Sequence, residues 1–315
     1  MKAYGPVPSR RLGFSTGINN IPPKTCSYSC IYCQLGITTN LQVDRRSFYE
    51  AAEVVQETER KVVQASRKGK KIDYLTFVPD GEPTLDISLG REISLLKPLG
   101  ISVAVISNAS LMWHADVREE LQQADWVSLK VDAVSGNIWR RIDRPHKSLK
   151  LADILEGILE FSHSFQGKLV TETMLLQGLN GESGELQKIA GFLAELRPDI
   201  AYLSVPTRPP ALRAAIPASE QVLNMAFHIF SKQSFRTELL ISYEGNAFAS
   251  TAKAEDDLLA ITSVHPMREE AVVEFLKQAG GSWQDIKKLL SAGSLIELEY
   301  EGKKFYMRNL PGRRS

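Results

Sequence analysis

Cys26, Cys30 and Cys33 are the only cysteines of the chain, and they fall in one short run, Thr25-Cys26-Ser27-Tyr28-Ser29-Cys30-Ile31-Tyr32-Cys33. Thiolates are soft ligands that suit iron–sulfur clusters or zinc. A C-x3-C-x2-C array lets one loop wrap one centre. A disulfide framework needs an even number of well-spread cysteines and an oxidising compartment, and neither is indicated. A structural zinc site normally takes four protein ligands. There is no fourth cysteine, and the nearest histidine in sequence is His114. A cubane cluster on three cysteines keeps one iron open to a small ligand. Two plainer readings stand beside it: a Cys3His zinc site, or cysteines buried as small hydrophobes. Cysteines set among Ser and Tyr do not form an apolar stripe, so the cluster is the expectation.

Further polar residues gather where strands should end. Asp80-Gly81-Glu82-Pro83-Thr84 follows an apolar run. Its glycine lets backbone approach a ligand closely, and a carboxylate beside it can accept from an ammonium group. The same residues also suit an ordinary strand-to-helix turn. Asn108, Lys130 and Asp132 close the next two runs. Asn108 could equally cap a helix, and Lys130 could be an ion-paired strand residue. Thr171 and Thr173 are weaker candidates. Arg10 and Arg11, with Arg140, Arg141 and Arg144, form two basic clusters beside the expected mouth. They read either as phosphate contacts or as solvated surface. The Thr207-Arg208-Pro209-Pro210 segment is placed at the pocket or its entrance.

The elements that must position these residues follow a rhythm. Short strands are predicted near 17–20 and over 73–78, 101–106, 126–131, 168–175 and 201–205. Helices fall between them, the first over 47–68 with Ser47 as N-cap and Glu50 three residues on. Alternating βα units imply a parallel sheet covered by helices. Six units fit an open, partial (β/α)6 barrel better than a closed eight-fold one, and ligands bind such sheets at the strand C-termini. Residues 238–263 are irregular in pattern. Beyond them two helices, with Ser282 and Asp285 in capping-box positions, and a hairpin over 295–300 and 303–307 make a small winged-helix-like unit. The expected organisation is a barrel with N-terminal extension over 1–240, a connecting segment over 241–263 and the winged-helix-like unit over 264–315.

The 315 residues are 43% hydrophobic, enough for a substantial core, and the formal charge is +1. That balance excludes a globally basic nucleic-acid binder, though not a local patch. The terminal unit is mixed in charge, with Lys287, Lys288, Lys303, Lys304 and Arg308 diluted by Asp285, Glu297, Glu299 and Glu301. No apolar run is long enough to span a membrane, and the N-terminus lacks a signal-peptide core. The cytoplasm is the expected location.

The cysteine array, with aromatic Tyr32 before Cys33, placed after the first strand of a βα series, resembles the signature of the radical S-adenosylmethionine (SAM) superfamily over residues 10–235. The resemblance implies a 4Fe–4S cluster on Cys26, Cys30 and Cys33, with SAM chelating the fourth iron. It implies that Tyr32 lies near the adenine, and that Asp80, Gly81, Glu82 and Pro83 stand where a Gly-Gly-Glu-Pro type segment binds the SAM amino group, Asp80 replacing the first glycine. Asn108, Lys130 and Asp132 are the implied ribose and carboxylate contacts. The implied chemistry is reductive cleavage of SAM to a 5′-deoxyadenosyl radical, fed by a donor such as flavodoxin or ferredoxin.

Within that superfamily, the segments 7–13, 17–25 and Ile142-Asp143-Arg144-Pro145 resemble a subgroup related to the tRNA wyosine synthases. Those enzymes carry a second cluster on additional cysteines, which this chain lacks. RNA modification is one expectation for the substrate, and modification or activation of a protein or peptide is another. A non-catalytic iron–sulfur sensor that binds DNA through the terminal unit is a third reading. A sensor needs neither the Asp80–Glu82 segment nor the full βα series.

Overall fold

The computed structural model describes residues 2–241, 254–264 and 266–309. The chain opens with an antiparallel hairpin, β1 (Ala3–Ser9) and β2 (Gly13–Ile18), followed by the cysteine loop and two short pairing segments, β3 (Thr25–Cys26) and β4 (Asn40–Leu41). There follow α1 (Ala51–Arg67), β5 (Tyr74–Phe77), α2 (Leu89–Leu96), β6 (Ser102–Ser107), α3 (Ala115–Leu121) and β7 (Trp126–Lys130). Next come α4 (Gly136–Ile142), α5 (Leu151–Ser164), β8 (Lys168–Met174), α6 (Ser183–Leu196), β9 (Ile200–Ser204), α7 (Glu220–Phe230) and β10 (Arg236–Leu240).

These strands build one eight-stranded sheet in the order β1-β2-β5-β6-β7-β8-β9-β10. All neighbours from β2 to β10 run parallel. The two edge strands do not pair, so the barrel is open as expected. Two strands escaped the sequence reading. β1 is dense in Gly and Pro, and β10 lies partly within residues that look irregular. Helix α1 also starts later than predicted, at Ala51 after Glu50. Ser47 does not cap it, because its hydroxyl donates to Tyr49 O (3.0 Å).

Strand pleating sends alternate residues to opposite faces. On the convex face Val103, Val105, Val127, Leu129, Leu169, Ala201 and Leu203 pack beneath helices that contribute Ile93, Leu121, Ile158, Phe161, Ile189 and Phe230. On the concave face the strand starts are apolar, with Tyr74, Ala104, Trp126, Val170 and Ile200 joined by Leu12 from the hairpin turn. Toward the strand ends that face turns polar at Thr76, Lys130, Glu172 and Ser204. Arg10 Nη1 donates to Leu240 O (2.6 Å), tying the hairpin turn to the opposite edge strand.

The C-terminal region holds α8 (Ala254–Val264), β11 (Met267–Arg268), α9 (Glu269–Ala279), α10 (Trp283–Ser291), β12 (Leu295–Tyr300) and β13 (Lys303–Arg308). Its sheet order is β11-β13-β12, antiparallel throughout. Both predicted helices and the hairpin are present, and Ser282 N donates to Asp285 Oδ2 (2.7 Å) in the expected capping box. Of the connecting segment, residues 242–253 lie outside the described residues, and the remainder contributes helix α8. Leu258 and Ile261 of α8 share a core with Phe275, Ile286, Leu295 and Tyr306, and with Tyr4 and Val7 of β1. The region thus packs against the N-terminal strand. Its hairpin reaches the barrel mouth, where Tyr300 Oη donates to Pro206 O (3.3 Å).

Candidate active site

The cysteine loop is held by backbone from a distant part of the chain. Ser29 N–H donates to Asp143 O (3.0 Å), Ile31 N–H to Ile142 O (2.9 Å) and His146 N–H to Ser27 O (2.9 Å). Trp139 of α4 donates its indole N–H to Tyr28 Oη (3.1 Å). Segment 142–146 therefore splints the loop as a strand would. Gly81 abuts it from another side. A Cβ at Gly81 would lie 1.8 Å from Thr25 O, so only glycine lets the turn after β5 lie against the start of the loop.

None of the three thiols is in a disulfide, and each is part-exposed. Burial, then Glu82, pushes Cys26 up to about 12. Burial and Asp143 push Cys30 well above the ordinary range, with Cys26 and Cys33 close enough to add to the effect. Asn108 Nδ2 points at Cys26 Sγ (3.4 Å), and the Cys30 thiol at Asp143 Oδ1 (3.4 Å). Among the described residues no three His, Cys, Asp or Glu side chains are arranged to hold a single metal ion. A cluster asks for a different set, one thiolate for each of several irons. Three unpaired, mutually adjacent thiols on one splinted loop fit that requirement. The raised affinity of Cys26 and Cys30 for protons is what bound iron, as positive charge, overcomes.

Behind the loop lies a cavity of about 320 Å³ running into the barrel. Tyr32, Cys33, Thr76, Lys130, Glu172 and Met174 line it, together with Arg11 of the hairpin turn and Pro206 to Arg208 after β9. Tyr32 Oη donates to Asp132 Oδ2, and Lys130 Nζ lies over the Tyr32 ring, 4.8 Å from its centroid.

Lys130 and Glu172 stand opposite each other in the β7–β8 register and pair at 3.1 Å. Arg11 bonds Glu172 Oε2 (2.6 Å) and Ser128 Oγ (3.2 Å), with its guanidinium over Trp126 and Tyr202. Ser204 donates to Glu172 Oε1 (2.9 Å). Burial alone would raise the Glu172 carboxyl. Lys130 and Arg11, with Arg10 behind them, outweigh burial and hold it well below the usual range.

The structure brings Cys26, Cys30, Cys33, Tyr32, Gly81, Glu82, Asn108, Lys130 and Asp132 to one end of the barrel. Glu82, however, is engaged inward. Its Oε1 accepts from Thr84 N (3.1 Å), Thr84 Oγ1 (2.6 Å) and Ser107 Oγ (2.7 Å), and its Oε2 from Asn108 N (2.7 Å). Pro83 follows it into a single 3-10 turn over Pro83–Leu85. Asp80 is buried, its carbonyl accepts from Lys24 N (2.7 Å), and its charge adds to burial in raising Tyr4.

Three expectations need correction. Thr171 and Thr173 lie on the convex side of the pleat, Thr173 donating to Val131 O (2.8 Å); Glu172 between them is the lumen residue. Arg11 is not a solvated surface charge but a part-buried side chain that lines the lumen cavity and pairs with Glu172. Arg10 ties the two sheet edges together. By contrast Arg140, Arg141 and Arg144 are exposed, beside the splint. Sequence reasoning also missed Asp143 as the neighbour of Cys30, although it singled out the Ile142–Pro145 segment.

An open parallel barrel with three free thiols at the mouth of a polar lumen is an architecture with known relatives. Residues 20–193 match the radical SAM superfamily. The chain belongs to that superfamily and is one of its enzymes, whose cofactors are a 4Fe–4S cluster and SAM. More particularly, it groups with the UPF0026 proteins. It is 46% identical to one from Methanocaldococcus jannaschii over 99% of this chain and 97% of that protein, and 33% identical to one from Helicobacter pylori over 85% of each. Among solved structures, a radical SAM methyltransferase from Sphaerobacter thermophilus superposes with a TM-score of 0.54 at 13% identity, covering 72% of this chain and 67% of that one. TYW1 with a lysine–pyruvate adduct bound gives 0.53 at 17% identity, covering 70% and 74%. At these identities the structural likeness concerns the fold.

Proposed function

We propose that Cys26, Cys30 and Cys33 hold the 4Fe–4S cluster and that SAM binds between this loop and the lumen cavity. The observation that carries the reading is the placement of three free thiols at the mouth of a cavity whose wall includes Cys33 and Tyr32. The cluster, when bound and reduced, supplies one electron to the SAM sulfonium, so that the carbon–sulfur bond breaks to methionine and a 5′-deoxyadenosyl radical, which takes a hydrogen atom from the substrate.

The chain's own residues confine and orient that chemistry. Tyr32, braced by Asp132 and Lys130, forms the wall beside the cysteine loop. SAM lies against the turn from Asp80 to Pro83, approached closely at Gly81, while the Asp80 and Pro83 carbonyls, held by Lys24 N and Asn20 Nδ2, fix the turn's shape. Glu82 and Asn108 act by fixing that turn and the loop to the end of β6. Arg11, Lys130 and Glu172 make the lumen floor an ionic surface for the substrate, and the apolar layer beneath excludes water. The wyosine-related segments and the exposed Arg140, Arg141 and Arg144 favour an RNA as the substrate, with flavodoxin or ferredoxin as donor and the cytoplasm as location. The terminal unit, winged-helix-like and beginning at Ala254 by its shared core, stands at the mouth through Tyr300 to guide that substrate. No helix among the described residues is long and apolar enough to cross a membrane.

The test is anaerobic reconstitution with iron and sulfide, then paramagnetic resonance of the reduced protein with and without SAM. A cluster signal that changes on adding SAM is expected. A cluster whose signal ignores SAM would sink the SAM-binding reading and favour the sensor.

A further inference from the structure

Outside the lumen, between the end of β2 and the start of α2, the side chains of Asn20, Asp86 and Glu92 meet with no solvent exposure, each at 0%. Asn20 Nδ2 donates to Pro83 O (3.1 Å), and Asp86 Oδ1 accepts from Ser88 N (2.8 Å). Among the described residues, four further oxygens are assigned no hydrogen-bond donor: Asn20 Oδ1, Asp86 Oδ2 and both carboxylate oxygens of Glu92. Asp86 crowds Glu92 with negative charge and Glu120 adds to it, while the Asn20 carboxamide, directed at the Glu92 carboxylate, only partly offsets them. Arg45, the cation at this corner, spends its donors elsewhere, on Thr84 O (2.8 Å), Asp86 O (3.1 Å) and the carboxylates of Asp116 and Glu120.

An ionised carboxylate sealed from water with no cation beside it is too costly to stand on one amide contact. Two carboxylates and an amide oxygen, acceptors only, are the kind of donor set a hard cation takes. We propose that Asn20, Asp86 and Glu92 bind a divalent cation of the magnesium–calcium class between β2 and α2. The ion would fasten α2 to the turn that follows β5, because Asn20 also grips Pro83 and Asp86 also holds the backbone entering the helix. The site is separate from the cysteine loop and does not depend on the reaction proposed above.

The competing relief is a proton. Burial first, and then Asp86, push the Glu92 carboxyl up to about 9, so cation-free protein keeps it protonated at neutral pH. The cation must displace that proton, and its binding should weaken as pH falls.

Metal analysis of cluster-loaded protein, purified without chelator, is the first arm. About one equivalent of magnesium or calcium per chain is expected beside the iron. Glu92→Gln and Asp86→Asn should lose it while keeping their iron. Thermal unfolding of chelator-treated protein is the second arm. Calcium or magnesium chloride should raise the midpoint of the wild type and leave Glu92→Gln unmoved. Absence of a bound hard cation, no shift with either chloride, and a Glu92→Gln variant as stable as the wild type would together overturn the proposal in favour of the proton. A shift produced by sodium or potassium chloride alone would overturn the divalent assignment.

Discussion

The two faces of the same sheet are built to different rules. On the convex face the strands offer a mainly apolar surface to the helices, interrupted by Thr171 and Thr173 of β8, and its stability is a matter of packing. On the concave face the same strands are apolar only at their starts and carry ions at their ends. Lys130, Glu172 and Arg11 form an ion cluster in the cavity wall, and such buried pairs are in general weak evidence for stability. A cluster of buried charges lining a cleft marks a candidate functional site. The difference rests on pleating alone: Thr171, Glu172 and Thr173 are consecutive, and only the middle one sees the lumen.

Substitutions on the two faces should therefore separate stability from site. Phe161 on the convex side is buried and stacked on Phe165 with centroids 4.7 Å apart. Phe161→Ala should cost about 3–5 kcal/mol in denaturant unfolding, the range for emptying such a pocket. SAM binding measured well below the unfolding temperature should be unchanged; loss of binding at full folding would break the contrast.

Glu172→Gln comes next. It leaves Lys130 and Arg11 facing each other without their carboxylate, and about 3 kcal/mol of stability should go, as for one partner of a buried ion pair. Here SAM-dependent behaviour should change as well, because the cavity wall is rearranged. The pH dependence has a definite sign. The Glu172 carboxyl is held below its ordinary 4.5 in the folded state. Its contribution is fully present above the unfolded value and is lost as pH falls below about 4.5 toward the folded value. Glu172→Gln should flatten the acid limb of the stability curve; an unaltered limb would mean that the ion cluster contributes nothing.

The smallest effect is expected beside it. Thr171 Oγ1 is buried with no hydrogen-bond partner among the described residues, so Thr171→Val should be neutral or stabilising by up to about 1 kcal/mol, with the cofactor sites untouched. A Thr171→Val variant that loses SAM binding would mean that the face assignment of β8 is wrong.

How much of this was legible depended on how local each signal is. The cysteine spacing is contained in one loop, and the inner strands are runs of apolar residues, so both were readable. β1 was hidden because Gly5, Pro6 and Pro8 suppress a strand signal that the hairpin partner supplies. β10 was hidden because Arg236, Thr237 and Glu238 make the first three residues of this edge strand polar and leave only Leu239 and Leu240 apolar. The run Lys168 to Met174 does not say which of its polar residues faces inward; its threonines and its glutamate differ only in pleat phase, which the neighbouring strands set. Asp143 lies 113 residues from Cys30, and only the fold brings them together. Arg11 looks like surface charge until the hairpin turn is seen to plug the barrel.

The most direct measurement is 5′-deoxyadenosine released from SAM by the reconstituted, reduced protein, compared with Cys30→Ala and Thr171→Val under the same conditions. The account predicts slow release by the wild type, the same by Thr171→Val, and none above background by Cys30→Ala. Release that survives Cys30→Ala, or a wild type that carries its cluster and never cleaves SAM, would contradict it.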